Sequence, residues 1–243
     1  MGLPPTRTSL LTSRPESPTL QISAKTDIPA SPELLLRAVR RVDWRFLLPD
    51  PTLEEVAYIG QPTGALLSAL ELFSTRVQVF EPATATTAVT TGGQRATSAR
   101  YDVVVACNPT VLVLEQAVRI VKPGGCLYME ISGPLASIKR SLSVGLRGRG
   151  RLALGSPQSH VRAIQQLGLQ EVACYWFRPN FETCTKIIPL HERAALLHAL
   201  APRQGSNSLQ ARLQTYGRRW LVEKLSSSGA LEFMIPCLGI VAR

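Results

Sequence analysis

Two glycines and one acid stand where a nucleotide cofactor could be held. The short apolar run Val56–Ile59 ends at Gly60, and Gly64 follows in the same loop before an apolar helical pattern begins. The next apolar run, Arg76–Phe80, ends at Glu81. Glycine lets the backbone approach a ligand closely at a strand-to-helix turn, and a carboxylate accepts hydrogen bonds from hydroxyl groups. The pattern predicts a cofactor site at the ends of two neighbouring strands.

Strands and helices alternate in the part of the chain that must position these residues. A third apolar run, Tyr101–Ala106, ends at Cys107-Asn108-Pro109, and Pro123-Gly124-Gly125 precedes a fourth, Cys126–Ile131. The helix between them is expected to bury one stripe of side chains: Val111, Leu114, Val118 and Val121. Short runs of this kind, separated by helices, are typical of βαβ units. We therefore predict an α/β fold with a doubly wound, mainly parallel, Rossmann-like sheet.

The second half of the chain predicts one antiparallel edge strand. The runs Gln170–Phe177 and Thr185–Leu190 are joined through Arg178-Pro179-Asn180, and so short a linker can only return antiparallel. A last apolar stretch, Phe233–Val241, is predicted as a final strand.

Three regions are predicted along the chain. Residues 1–30 are rich in Ser, Thr and Pro and are expected to form a disordered or loosely docked arm. Order is expected to begin at Ser31, which can cap a helix that starts at Pro32. We predict a main domain over residues 31–192, followed by a helical extension and the final strand over residues 193–243.

Composition excludes several classes of protein. The 243 residues are 45% hydrophobic and 18% charged, which is typical of a folded globular domain. The longest apolar runs, such as Val103–Cys107, are far shorter than the roughly 20 residues of a transmembrane helix, so no membrane span is expected. The five scattered cysteines predict reduced thiols and a cytoplasmic location. The three histidines lack ligand spacing, so no metal site is predicted.

The chain is basic, with 27 Lys and Arg against 17 Asp and Glu and a net charge of +10. Much of the excess lies in the stretch 139–151, which contains Arg147, Arg149 and Arg151. This stretch is interpreted as a solvated loop or as a contact for phosphate, nucleic acid or an anionic substrate.

Residues 54–131 resemble the class I S-adenosylmethionine-dependent methyltransferases. The family's first motif has the form V-L-D-x-G-x-G-x-G and falls here on Val56–Gly64, with Tyr58 in place of the acid and Pro62 in place of the middle glycine. The acid after the second strand, the Tyr101-Asp102 start of the third, and the sequence Lys122-Pro123-Gly124-Gly125 also match the family pattern. The resemblance implies a sheet of the class I methyltransferase type and S-adenosylmethionine as cofactor.

The resemblance also implies site residues and a reaction. Gly60, Gln61, Gly64, Glu81 and Asn108 are the candidate cofactor-binding residues, and Glu81 would accept hydrogen bonds from the ribose hydroxyls. The acceptor is expected to be a small or glycosylated molecule with an anionic group; no catalytic residue is assigned. A nicotinamide-binding fold would place its acid similarly.

Two other functions stay open. The replacements at Tyr58 and Pro62 are compatible with a catalytically inactive binding or scaffold protein. Asn108-Pro109 matches half of the N-P-P-Y signature of nucleic-acid methyltransferases, which with the basic charge keeps nucleic acid as an alternative acceptor.

Overall fold

The computed structural model of the chain describes residues 31–60, 64–82, 100–133, 157–200 and 235–243. The helices are α1 (Pro32–Arg41), a 3₁₀ helix (Asp43–Leu47), α2 (Gly64–Phe73), α3 (Val111–Ile120), α4 (Pro157–Gln166) and α5 (Arg193–Leu200). The strands are β1 (Leu53–Ile59), β2 (Ser74–Phe80), β3 (Tyr101–Cys107), β4 (Val121–Ser132), β5 (Val172–Arg178), β6 (Lys186–Pro189) and β7 (Cys237–Ala242). The arm 1–30, the loop 139–151 and most of the predicted C-terminal helical extension lie outside these residues.

The strands form one sheet in the order β2-β1-β3-β4-β7-β5-β6. Strands β1 to β4 run parallel, with Ile59 opposite Phe80 and Ala106, and Ala106 opposite Met129. The chain moves outward from β1 to β2 and then returns to the other side of β1 for β3, so the strand order reverses between β1 and β3. This is a doubly wound sheet, as predicted, and such sheets bind ligands at the carboxyl ends of the strands beside the reversal.

The antiparallel part of the sheet is larger than expected. The predicted hairpin is present, because β5 and β6 pair antiparallel and β6 lies at the edge. Strand β7 is a second antiparallel strand, and it lies inside the sheet between β4 and β5. An apolar run at the end of a chain carries no information about its neighbours, which is why Phe233–Val241 did not predict this position. The final strand is thus part of the main sheet.

Two layers of helices cover the sheet. On the side that we call the front face, α1, the 3₁₀ helix and α2 pack on β1, β3 and β4. On the opposite, back face, α3, α4 and α5 pack against the alternate side chains of the same strands. Odd and even positions of each strand are therefore both buried, which explains the continuous apolar runs in the sequence.

The buried stripe of helix α3 agrees with the predicted one only in part: Leu114 and Val121 are buried and Val118 packs against the core, but Val111 does not. Its buried side chains are Val113, Leu114, Ala117 and Ile120, whereas Val111 is 38% exposed. The sequence of this helix is apolar on most of its circumference, so periodicity alone could not choose the face. Helix α1 begins as predicted, with the Ser31 hydroxyl accepting a hydrogen bond from the backbone N–H of Glu33.

Candidate functional site

Gly60 forms an open turn at the reversal point of the sheet. Its φ of +136° is accessible to glycine and strained for other residues. Its N–H donates a hydrogen bond to the carbonyl of Phe80, at 3.3 Å, and so joins the ends of β1 and β2. A Cβ built on Gly60 would meet no described atom closer than the carbonyl oxygen of Cys107, at 4.0 Å. Within the described chain, no side chain fills the turn.

Gly64 and Gln61 are the next two candidate residues along the chain. Gly64 is the first residue of α2, and a Cβ added there would have no described atom within 4 Å. Gln61 lies outside the described residues, as does Pro62, so the role of Gln61 stays a prediction. Among the described residues, no side chain or backbone atom therefore packs against the Cα of Gly64 where α2 begins.

Glu81 lies next to this turn. It directly follows Phe80, whose carbonyl accepts the Gly60 N–H, and its side chain is exposed. The Glu81 carbonyl accepts a hydrogen bond from Nε2 of Gln116 in α3, at 3.3 Å, which fixes its backbone at the edge of the sheet. The backbone of Glu81 thus directly follows the residue that is hydrogen-bonded to the glycine turn. The role of the Glu81 carboxylate toward a ribose stays a prediction.

Asn108 joins the carboxyl ends of β3 and β4. Its φ is 45°, in the left-handed region that asparagine tolerates better than most residues. Its N–H donates to the carbonyl of Glu130 at 2.7 Å, and its Oδ1 accepts from the N–H of Ser132 at 2.8 Å. Asn108 is exposed at the predicted edge, and its side-chain oxygen is used to hold that edge together. Its role toward a cofactor stays a prediction.

Tyr58, which stands in place of the family acid, is fully buried on the front face. Its hydroxyl donates toward the Sγ of Cys107 at 3.6 Å. The side chain therefore packs inside the domain, under the helices, and contributes no charge to the open edge.

A buried polar cluster lies on the front face under the carboxyl ends of β3 and β4. We call it the Arg41–Glu130 cluster; it comprises Arg41, Cys107, Tyr128 and Glu130. Arg41 donates from Nη1 and Nη2 to the two oxygens of Glu130, at 2.5 and 2.6 Å. The Tyr128 hydroxyl also donates to Glu130, at 3.1 Å, and the Cys107 thiol lies 3.8 Å from it. The ring of Tyr128 stacks on Trp44, with 3.9 Å between centroids.

The surroundings of the Arg41–Glu130 cluster raise the pKa values of Arg41, Tyr128 and Cys107. Burial lowers the pKa of Arg41, but the hydrogen bond and charge of Glu130 outweigh it and raise that pKa above its ordinary value. Burial, and secondly the charge of Glu130, raise the pKa of Tyr128 well above its usual range. The same two causes raise the pKa of Cys107 to about 12. Arg41 is therefore a cation, while Tyr128 and Cys107 are neutral.

No role was assigned to Arg41 or to its partner Glu130 from the sequence. A carboxylate inside an apolar strand is a signal in itself, because a buried charge needs a partner. The sequence contains many arginines, however, and only the packing of α1 on the sheet shows which one is used.

A cavity of about 590 Å³ adjoins Gly64 on the front face. It lies between α1, α2 and the loop that joins β5 to β6. Arg41 and Arg37 line it from α1, and Glu182 lines it from the loop. The volume is within the range of small-molecule sites.

The other candidates from the sequence lie elsewhere. Asp102 is at the amino end of β3, where its carboxylate binds the Nζ of Lys122 at 3.1 Å and the N–H of Glu55 at 3.3 Å. It joins strands at the end opposite the glycine turn. Of the histidines, His160 is buried and His198 is exposed. In the described part of the chain, no group of three or more His, Cys, Asp or Glu residues could hold a metal, and no helix there is long and apolar enough to span a membrane.

No protein-family model and no curated protein matches the sequence. Three solved structures similar to this chain are methyltransferases. A SAM-dependent methyltransferase from Thermotoga maritima, described as a possible histamine N-methyltransferase, is 13% identical with a TM-score of 0.45; the match covers 86% of this chain and 91% of that one.

The second is Haemonchus contortus phosphoethanolamine N-methyltransferase 2, solved with phosphomonomethylethanolamine and S-adenosylhomocysteine. It is 15% identical with a TM-score of 0.42, over 86% of this chain and 52% of its own. The third, human N-acetylserotonin methyltransferase in complex with SAM, is 16% identical with a TM-score of 0.38, over 58% and 47%. The observed sheet confirms the predicted fold class.

Proposed function

We propose that this protein is an S-adenosylmethionine-dependent methyltransferase that acts on a small or glycosylated acceptor. The observation that carries the proposal is the open turn at Gly60, hydrogen-bonded to the residue that precedes Glu81. Two independent sequence features, a glycine turn and an acid, are thereby brought together at the reversal point of a doubly wound sheet. We also keep the cytoplasmic location as a proposal.

The residues present fit the cofactor at its nucleoside end. Glu81 would accept hydrogen bonds from the ribose hydroxyls, while Gly60 and Gly64 leave space for the backbone to approach the ligand. The cofactor supplies a methyl group that is already activated on a sulfonium, so the protein's task is to bind and orient the two reactants in line. No described residue is assigned as a base.

The proposal is tested by calorimetric titration with S-adenosylmethionine and S-adenosylhomocysteine. Glu81→Ala should weaken binding by about 1.5–3 kcal/mol, the scale of hydrogen bonds to a charged group. Glu54→Ala is the matched control, because Glu54 is also exposed but lies at the amino end of β1. Equal affinities of the wild type and the Glu81 variant would remove Glu81 from the site.

A catalytically inactive binding protein is the second candidate, and the burial of Tyr58 favours it. With that side chain packed inside, β1 offers no acid to the open edge. No heat with millimolar ligand, from protein shown to be folded, would support this candidate and reject the first.

Nucleic-acid methylation has less support among the described residues. The side-chain oxygen of Asn108 already accepts the Ser132 N–H, and the basic stretch 139–151 lies outside the described chain. Nucleic-acid methylation would be favoured if the protein bound RNA or DNA and the binding constant fell by several log units for each tenfold rise in salt concentration.

A further inference from the structure

The cavity beside Gly64 is lined by both apolar and polar residues, and the polar ones are Arg37, Arg41, Ser68, Glu182 and Thr183. Leu34 and Ala38 line it from α1, and Ala65 and Leu72 line it from α2. A mainly apolar cavity with a small number of polar groups is the usual form of a small-molecule site. Because α2 begins at Gly64, the cavity opens next to the turn to which we assign the cofactor.

One cation in this cavity serves two carboxylates. Both Nη groups of Arg41 bind Glu130. Oε1 of Glu182 lies 3.3 Å from Nε of Arg41, yet that buried Nε makes no hydrogen bond in the described structure. The three side chains together carry a net charge of −1. Glu182 therefore presents a carboxylate whose nearest cation is already committed elsewhere.

Contacts within its loop hold the residues on both sides of Glu182, whose own side chain is 53% exposed. The N–H and hydroxyl of Thr183 both donate to Oδ1 of Asn180, at 2.8 and 3.0 Å. On the other side of Glu182, the ring of Phe181 packs against Phe177, with 5.1 Å between centroids. A carboxylate on a loop held at both sides can orient a ligand at low entropic cost.

The second arginine of the cavity does not reverse this charge. Arg37 is paired with Glu33, one turn earlier on α1, at 2.7 Å. Glu33 and Glu130 do not line the cavity themselves, but each is bound to an arginine that does. Counted together, the charges of Arg37, Glu33, Arg41, Glu130 and Glu182 sum to −1.

From these contacts we infer that the cavity binds an amphipathic amine, with its apolar body between α1 and α2 and its amino group on the carboxylate of Glu182. The role of the amine as the methyl acceptor rests on the proposed function. The binding of the amine in the cavity does not depend on that function. This amine differs from the anionic acceptor expected from the sequence; the stretch 139–151 that suggested an anion lies outside the described residues.

A matched pair of probes tests the inference. We would titrate the full-length protein with 4-phenylbutylamine and with 4-phenylbutyrate, which share an apolar body and carry opposite charges. The amine should bind at least about tenfold more tightly, as a charge-assisted hydrogen bond requires. Because Glu182→Gln removes the negative charge, the ratio of the amine affinity to the acid affinity should fall to about one in that variant. Equal binding of both probes, tighter binding of the acid, or no binding of either would overturn the inference.

Two further variants define the place of binding. Glu115→Gln is the matched control, because Glu115 is a half-exposed carboxylate that faces an arginine, Arg119, but lies on the back-face helix α3. It should keep the full amine preference. Ala65→Trp, at an exposed position on the cavity wall, should abolish binding of the amine. Amine binding that survives this change would place the probe elsewhere and contradict the inference.

The outcome is separable from that of the proposed function. S-adenosylhomocysteine is titrated into the same proteins, and Glu182→Gln should leave its affinity unchanged. Amine binding with no binding of S-adenosylhomocysteine would support the cavity site and reject the methyltransferase. Binding of S-adenosylhomocysteine with no selective binding of the amine would do the reverse.

Discussion

Arg41 and Glu130 are 89 residues apart in sequence and form a bidentate ion pair in the interior, with N–O distances of 2.5 and 2.6 Å. Their side chains are only 4% and 6% exposed. The pair joins the end of the first described helix to the carboxyl end of β4. It thereby holds α1, one wall of the cavity, against the edge of the sheet where the candidate site lies.

Removing one partner of this pair should be costly. Arg41→Met leaves the Glu130 carboxylate buried without a cation, so we expect the free energy of unfolding to fall by about 3–5 kcal/mol. The double change Arg41→Met with Glu130→Leu removes both charges and should recover most of the loss. Urea unfolding of each variant provides the measurement.

An exposed ion pair on the same helix is the control for that experiment. Arg37 and Glu33 have side chains that are 67% and 71% exposed, and Arg37→Met should change stability by no more than about 0.5 kcal/mol. If the double change at the buried pair were as harmful as the single one, the pair would not be the source of the effect.

Gly64→Ala should affect the stability of the fold and the affinity for a ligand in different ways. An alanine Cβ at this position would have no described atom within 4 Å, and alanine favours a helix, so stability should be unchanged or rise by up to about 1 kcal/mol. If a cofactor approaches the backbone here, the affinity for S-adenosylhomocysteine should nevertheless fall. Calorimetry and thermal unfolding of the same preparation measure the two effects; unchanged affinity would place the ligand away from Gly64.

The Cys107 thiol should react slowly with alkylating reagents. Its pKa is raised to about 12, mainly by burial and secondly by Glu130. The thiolate is the reactive form, so at pH 8 only about one molecule in 10⁴ is reactive at this site. Labelling by iodoacetamide, followed by mass spectrometry, should quicken about tenfold per pH unit between pH 8 and 11.

The same thiol affects stability at high pH. The pKa in the folded protein lies above the ordinary value of 9.0, so the neutral thiol favours folding at lower pH. This contribution is complete below pH 9 and is lost as the pH rises from about 9 toward 12. Rapid labelling of Cys107 at pH 8 in the folded protein would contradict both statements.

Gly239→Ala tests the position of β7 inside the sheet. A Cβ at this position would clash with Cε2 of Phe177 on the neighbouring strand β5. Phe177 is buried, so its ring cannot move away freely, and we expect a loss of about 1–3 kcal/mol. Adding Phe177→Leu should relieve part of that loss. Additive effects of the two changes in urea unfolding would argue against the contact.

Local patterns predicted much of the fold and of the candidate cofactor turn. The alternation of apolar runs with helices is a property of consecutive residues, and it was enough for β1 to β4 and for the β5–β6 hairpin. The helix start at Ser31 and Pro32 follows from capping chemistry alone. The acid after β2 could be set beside the glycine turn, because parallel strands bring their carboxyl ends to one edge.

What depends on distant residues was decided only by the tertiary structure. The place of β7, the buried face of α3, the partner of Glu130 and the cavity that contains Glu182 each require contacts between segments far apart in the chain. Burial energy depends on which surfaces meet, and an apolar run or a charged residue is compatible with many partners until packing selects one. Local patterns therefore specified the strands and the glycine turn, whereas packing between distant segments specified which side chains line the cavity and which are buried.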